Sequence, residues 1–135
     1  EYGNNTKAGL ITRGLAEITR LGVAAGANPL TFAGLAGLGD LVATCASPLS
    51  RNRFVGQELA KGRDLKGILS SMTGIAEGVT TTIAALKLAN ELDVEMPIAE
   101  QVFRVLFKGL DVRQAVSELM VRELKHELAG IEGKS

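Results

Sequence analysis

The sequence predicts an all-α domain of about seven helices. In each periodic stretch the apolar residues recur three or four positions apart, as on one face of a helix, rather than at every second position. Glycine, proline or a capping residue separates one stretch from the next. With 135 residues, of which 46% are hydrophobic, the chain has the length and composition of a single domain, residues 1–135.

The first helix is predicted over residues 6–25. Its charged side chains lie largely on the side opposite the apolar stripe, and Glu17 stands at ion-pair spacing from Arg13 and Arg20. Gly26 provides the stop. The apolar stripe of this helix consists of Leu10, Ile11, Leu15, Ile18 and Leu21.

A second helical stretch begins at Asn28-Pro29, a capping residue followed by proline at the first helical position. The glycines within this stretch weaken an isolated helix by about 1 kcal/mol each relative to alanine, so packing or a ligand must compensate. Its apolar side is formed by Phe32, Leu35, Leu38 and Leu41.

Capping residues mark three of the five helices that follow. Ser50 or Asn52 caps the third helix, which stops near Gly62, while Asp64 caps a short fourth helix and Asp111 caps the seventh. Each of these side chains can accept a hydrogen bond from a free N–H group of the first turn. The charged tail at residues 122–131, which follows the apolar positions of the seventh helix, is only partly amphipathic.

The fifth helix is the ambiguous one, because residues 79–83 are mostly β-branched and could form a strand. The apolar pattern that continues to Leu92 fits a longer helix better, with Glu77 in its first turn. The sixth helix begins at Met96-Pro97 and closes at Gly109. Its predicted core stripe is Ile98, Val102, Val105 and Leu106.

Charge and composition restrict the class of partner. The chain has 15 basic and 15 acidic residues, so no net field attracts nucleic acid, and its apolar runs are too short to span a membrane. We therefore expect a small-molecule partner. Cys45 is the single cysteine and His126 the single histidine, which predicts no metal site, no internal disulfide and a reducing, cytoplasmic location.

Polar chemistry is concentrated in residues 34–53, which read GLAGLGDLVATCASPLSRNR. Asp40 follows three glycines, and Ser50, Arg51 and Asn52 stand at a predicted helix start, where free N–H groups and an arginine fork favour an anion. The glycine spacing is the reverse of a dinucleotide-binding fingerprint, so no such unit is predicted here. A solvated, well-capped helix start, with Asp40 as a surface carboxylate, is the alternative interpretation of these residues.

This stretch resembles the substrate-domain signature of bacterial NAD(P)-dependent glycerol-3-phosphate dehydrogenases. The resemblance covers nearly the whole chain, through residues 5–8 (NTKA), 10–17 (LITRGLAE), 75–78 (IAEG) and 97–98 (PI). It implies a helical C-terminal domain of the type found in 6-phosphogluconate dehydrogenase, preceded by a Rossmann domain that binds NAD or NADP. We accordingly expect this chain to be a fragment that is inactive alone.

The reaction that the resemblance implies is hydride exchange between NAD(P)H and dihydroxyacetone phosphate, giving sn-glycerol 3-phosphate for phospholipid synthesis. The family's proton-transfer lysine lies upstream of residues 5–8, so this chain carries no catalytic residue of its own and Lys7 is not that residue. The sequence leaves open whether the protein forms a homodimer. The implied substrate contacts are Asp40, Ser50, Arg51 and Asn52, the implied cofactor contacts are Arg51, Ile75 and Glu77, and Asp40 and Thr44 have implied supporting roles.

Two other classes remain open from the sequence. A different dehydrogenase of the same helical-domain superfamily would need a polar set other than Ser50-Arg51-Asn52. A stand-alone helical interaction module would show an exposed apolar patch rather than a cluster of glycine, aspartate and arginine.

Overall fold

The computed structural model describes residues 4–26 and 50–132, apart from the side chains of Asn4, Asn5, Lys7 and residues 123–132. Within that part of the chain there are six helices and no strand, which confirms the all-α prediction and the helical interpretation of residues 79–83. The second predicted helix, Asp40, Thr44 and Cys45 lie outside the described residues, as does the His126 side chain. The helices are α1 (Asn4–Ala24), α2 (Arg51–Ala60), α3 (Leu65–Ser71), α4 (Glu77–Glu91), α5 (Pro97–Phe107) and α6 (Val112–Glu132).

Three helices begin at the capping residues that the sequence predicts. Ser50 Oγ accepts a hydrogen bond from the Arg53 N–H at 3.2 Å, so Ser50 rather than Asn52 caps α2. Asp64 caps α3 and Asp111 caps α6, each by accepting from the N–H group three residues later, at 2.8 Å and 3.2 Å. These short polar side chains satisfy N–H groups that have no partner inside their own helix.

A small buried cluster joins α2, α3 and the residues just before α4. Val55, Ile68 and Ala76 are its buried members, and the partly buried side chains around it include Leu59 and Val79. Because Ala76 immediately precedes α4, the cluster holds the start of α4 against α2. The remaining helices pack as α4 against α5, α5 against α6, and α1 against α5.

Glu17 is buried, which contradicts its predicted place on the charged side of the first helix. Only 4% of Glu17 is exposed. Its carboxylate accepts hydrogen bonds from the N–H groups of Ile98 and Ala99, the latter at 3.3 Å, in the first turn of α5. Met96, at the N-cap position of α5, offers no side-chain hydrogen bond. Glu17 of α1 therefore caps α5 from another helix, a relation that the pattern of α1 alone does not contain.

The apolar stripe predicted for α5 is also corrected at one position. Val102 is 40% exposed, whereas the neighbouring Gln101 is buried. The Gln101 side-chain amide donates to the Ala115 carbonyl at 3.2 Å and to Glu118 Oε1 at 3.0 Å, both on α6. Hydrogen bonds from two glutamines, first of all Gln101, lower the pKa of Glu118. A polar side chain is tolerated at this buried position because its donors find partners on the facing helix.

The burial of Glu17 makes the α1–α5 contact dependent on pH. Burial raises the pKa of Glu17 above its ordinary value of 4.5, and this effect outweighs the opposing hydrogen bonds from Ile98 and Ala99. A carboxyl whose pKa is raised by folding binds its proton more tightly in the folded state. Protonation of Glu17 therefore makes its full contribution to stability at pH values below about 4.5, and this contribution declines as the pH rises through the folded-state pKa.

We expect Glu17→Ala to lower the free energy of unfolding by about 2–4 kcal/mol, because two partly buried N–H groups lose their acceptor. Glu17→Gln keeps one acceptor and has no charge to desolvate, so its loss should be smaller. The stability difference between the wild type and Glu17→Gln should shrink as the pH rises from about 4.5 towards 7. Urea unfolding across this range measures both effects, with the exposed Glu91→Gln as control. A difference that grew with pH would contradict this account.

Candidate functional site

The predicted anion-binding residues stand at the start of α2. Ser50 is the N-cap, and Arg51 and Asn52 are the first two helical residues, both of them exposed. At this end of a helix the N–H groups and the helix dipole favour a negative charge. A second segment, residues 73–78, lies against this helix start and leads into α4.

Arg51 lies across the beginning of the second segment. Its Nε donates to the Thr73 carbonyl at 3.3 Å. A Cβ added at Gly74 would stand 2.6 Å from the Arg51 Cζ, and Gly74 has a φ of +93°, which side chains other than glycine rarely adopt. Glycine at position 74 thus lets the guanidinium lie directly against the backbone.

Asn52 is bonded to the other end of the same segment. Its Oδ1 accepts a hydrogen bond from the Gly78 N–H at 2.9 Å, across 26 residues of sequence. Gly78 is the second residue of α4, whose N-cap residue, Ala76, provides no side-chain hydrogen bond. Asn52 therefore caps α4 from α2, in addition to any contact that its NH2 group makes with a ligand.

Two of the three predicted cofactor residues, Ile75 and Glu77, lie between these attachments. Ile75 is 72% exposed, the next residue, Ala76, is buried, and Glu77 is exposed in the first turn of α4. The structure thus brings Ser50, Arg51, Asn52, Ile75 and Glu77 to one edge of the domain. Sequence analysis missed the supporting contacts of Thr73, Gly74 and Gly78, although the glycines on either side of Ile75-Ala76-Glu77 were a signal for them.

Three cations, Lys61, Arg63 and Lys66, lie between the C-terminal end of α2 and the first turn of α3, and two of them pair with Glu58. Glu58 pairs with Arg63 at 2.7 Å and with Lys61 at 3.0 Å. The hydrogen bond from Arg63, followed by that from Lys61, lowers the pKa of Glu58. Arg63 also donates to Gly67 and Ser71, so it stabilises the corner between α2 and α3. All three cations are exposed.

The chemistry of this edge is that of binding rather than of bond breaking. It presents an arginine fork, an amide and a helix N-terminus, which together suit phosphate or carboxylate oxygens. Among the residues that the structure describes, no cluster of histidine, cysteine or carboxylate side chains could hold a metal ion. None of the described helices is both long and apolar enough to cross a membrane.

We expect Gly74→Ala and Gly62→Ala to cost similar free energies of unfolding, about 1–2 kcal/mol, because both glycines have positive φ. Only position 74 adjoins Arg51, since a Cβ at Gly62 meets nothing within 4 Å. Gly74→Ala should therefore displace the Arg51 guanidinium and shift its Nε–H signal in a proton–nitrogen NMR spectrum, whereas Gly62→Ala should leave that signal in place. Equal shifts in the two variants would refute the contact.

Comparisons with known proteins agree with this architecture. Residues 1–117 match the family described as the C-terminus of NAD-dependent glycerol-3-phosphate dehydrogenase. A glycerol-3-phosphate dehydrogenase (NAD(P)+) of Dehalococcoides mccartyi strain 195 is 58% identical over 96% of this chain and 36% of its own length. The enzyme of the same name from Citrifermentans bemidjiense is 60% identical over 93% of this chain and 38% of its own length.

A solved structure leads to the same family. The crystal structure of glycerol-3-phosphate dehydrogenase from Coxiella burnetii matches with a TM-score of 0.82 and 45% identity, over 87% of this chain and 36% of that one. The chain thus spans little more than a third of the length of these proteins. On these matches, this chain belongs to the family of C-terminal regions of NAD-dependent glycerol-3-phosphate dehydrogenases.

Proposed function

We propose that residues 1–135 are the substrate-binding domain of an NAD(P)-dependent glycerol-3-phosphate dehydrogenase, working with a nucleotide-binding domain outside this sequence. The reaction is dihydroxyacetone phosphate plus NAD(P)H and a proton to sn-glycerol 3-phosphate plus NAD(P)+. The observation that carries the proposal is the single edge formed by Arg51, Asn52, Ile75 and Glu77. Hydride transfer requires the substrate and the cofactor to be held next to each other, and one edge with contacts for each of them would do this.

Arg51 is the main anchor of the substrate phosphate in this proposal. Its Nε is bonded to Thr73, so the two Nη groups of the fork would face the phosphate oxygens. Ser50, Asn52 and the free N–H groups of the first turn of α2 would add neutral donors. Asp40 would contact the substrate and support the proton-transfer lysine that we expect upstream, with Thr44 beside it.

The cofactor would lie along the same edge, over Ile75 and Glu77 and near Arg51. The exposed Ile75 side chain offers an apolar surface, and the Glu77 carboxylate can accept hydrogen bonds from hydroxyl groups. When bound, the reduced nicotinamide supplies the hydride that reduces the ketone. The choice between NAD and NADP would be made in the other domain, where the ribose is read.

We further propose a cytoplasmic enzyme that supplies glycerol 3-phosphate for phospholipid synthesis. The single cysteine, Cys45, is compatible with a reducing compartment. A homodimer is the assembly that we would test first, by sedimentation of the full-length protein.

The direct test is an assay of the full-length protein that carries this chain. We expect NAD(P)H oxidation that depends on dihydroxyacetone phosphate, at about 1 per second or faster. The 135-residue chain alone should show no turnover, because it provides neither the nucleotide-binding fingerprint nor the proton-transfer lysine. A full-length protein inactive with this substrate, or an isolated chain that turns over at an ordinary enzymatic rate, would contradict the proposal.

We expect Arg51→Ala to lower kcat/KM for dihydroxyacetone phosphate in the full-length protein by a factor equivalent to about 2–5 kcal/mol, if the ion pair is desolvated. Arg51→Lys keeps the charge but loses the fork, so its loss should be smaller yet measurable. Arg53→Ala is the neighbouring control, with thermal melts to exclude unfolding. Wild-type activity in Arg51→Ala combined with a loss of activity in Arg53→Ala would mean that Arg53, and not Arg51, is the phosphate anchor.

A further inference from the structure

Residues 73–78 are attached to α2 at both ends and in the middle. Arg51 donates to Thr73 at one end, and Asn52 accepts from Gly78 at the other. Between them Ala76 is buried in the cluster with Val55. Two consecutive side chains of α2 thus hold the segment that carries Ile75 and Glu77.

We propose that Asn52 is a positioning residue for both ligands. Its Oδ1 sets the place of Glu77 by capping α4, and the same bond turns its NH2 group towards the ligand as a donor. Gly78 is the residue that makes this arrangement sterically possible. This inference rests on the proposed function, in which Glu77 meets the cofactor and the start of α2 meets the substrate phosphate.

The capping part follows from the hydrogen bonds of α4. Ala76 has no side-chain acceptor for the first turn of this helix, so without Asn52 the Gly78 N–H would have no protein acceptor among the described residues. A capping side chain orders the first turn, and Glu77 is the first residue of that turn. The position of the Glu77 carboxylate therefore depends on a side chain of another helix.

The donor part follows from the chemistry of the amide. A backbone N–H can only donate, so the Asn52 atom that faces Gly78 must be the oxygen. The NH2 group is then the part of the side chain left for a ligand, and it can only donate. Phosphate oxygens only accept when fully ionised, so the cap selects the amide orientation that an anion requires.

The steric part concerns position 78. A Cβ there would lie 2.8 Å from Asn52 Oδ1, 2.9 Å from its Cγ and 3.0 Å from its Nδ2. The backbone of Gly78 is helical and has no positive φ, and the three atoms nearest to such a Cβ all belong to Asn52. Alanine is otherwise the better helix former, and it should stabilise α4 if the Asn52 amide did not matter. The amide is the flexible end of its side chain, so Gly78→Ala should displace it rather than unfold the domain.

Three variants of the full-length protein separate these parts. Asn52→Asp keeps an acceptor for Gly78 but turns an oxygen instead of NH2 towards the phosphate. Asn52→Ala removes both functions, and Gly78→Ala displaces the intact amide. Gly56→Ala is the matched control, because Gly56 is a helical glycine of α2 whose added Cβ would meet nothing within 4 Å.

We expect Asn52→Asp to lower kcat/KM for dihydroxyacetone phosphate at least about tenfold while leaving KM for NAD(P)H within about twofold. Asn52→Ala and Gly78→Ala should each raise KM for NAD(P)H by about three- to tenfold, as expected for the loss of a cap. Both should also lower kcat/KM for dihydroxyacetone phosphate. Gly56→Ala should change neither constant. If Asn52→Asp affected the cofactor as strongly as Asn52→Ala, or if Gly78→Ala left KM for NAD(P)H unchanged, the proposal would be overturned.

Hydrogen exchange of the Gly78 amide gives a readout that does not depend on activity. The exchange should be at least about threefold faster in Asn52→Ala than in the wild type, and close to wild type in Asn52→Asp. Unchanged exchange in Asn52→Ala would overturn the capping part whatever the kinetics show. A full-length wild type inactive with dihydroxyacetone phosphate, but with the expected exchange, would refute the proposed function and the ligand part while leaving the cap established.

Discussion

The free N–H groups at the start of a helix need acceptors, and this requirement organises the described part of the domain. Three helices meet it locally, through Ser50, Asp64 and Asp111. Two others, α4 and α5, begin with Ala76 and Met96 at the N-cap, neither of which offers a side-chain hydrogen bond. Each of these two is capped instead by a side chain from a distant helix. The two distant caps join elements that are far apart in sequence.

The two distant caps serve different purposes. Glu17 connects α1 to α5 and is buried, so its carboxylate is held away from water. This loss of hydration disfavours the charged form and raises the pKa of Glu17. Asn52 is exposed and neutral, and it connects α2 to α4 at the edge where we place the ligands. Because Asn52 is neutral, the charge of the anion site that we propose would come from Arg51.

The glycines near this edge are explained by side chains that lie against them. Gly74 adjoins the Arg51 guanidinium and Gly78 adjoins the Asn52 amide, at distances that leave no room for a Cβ. The helical glycines Gly56 and Gly14, by contrast, have open space around them. Glycine content alone therefore does not identify a site, and the close approach of a side chain from another element distinguishes the two kinds of glycine.

The sequence by itself determined the helical class and, apart from the choice between Ser50 and Asn52, the positions of the local caps. These features depend on periodicity and on bonds between residues three or four apart, which neighbouring residues specify. Only the tertiary structure decided that Glu17 is buried and that Asn52 caps α4. It also decided that Gln101 of α5, rather than Val102, is buried against α6. Each of these results from a bond between helices, and the pattern of one helix contains no information about which N–H groups a second helix brings to it.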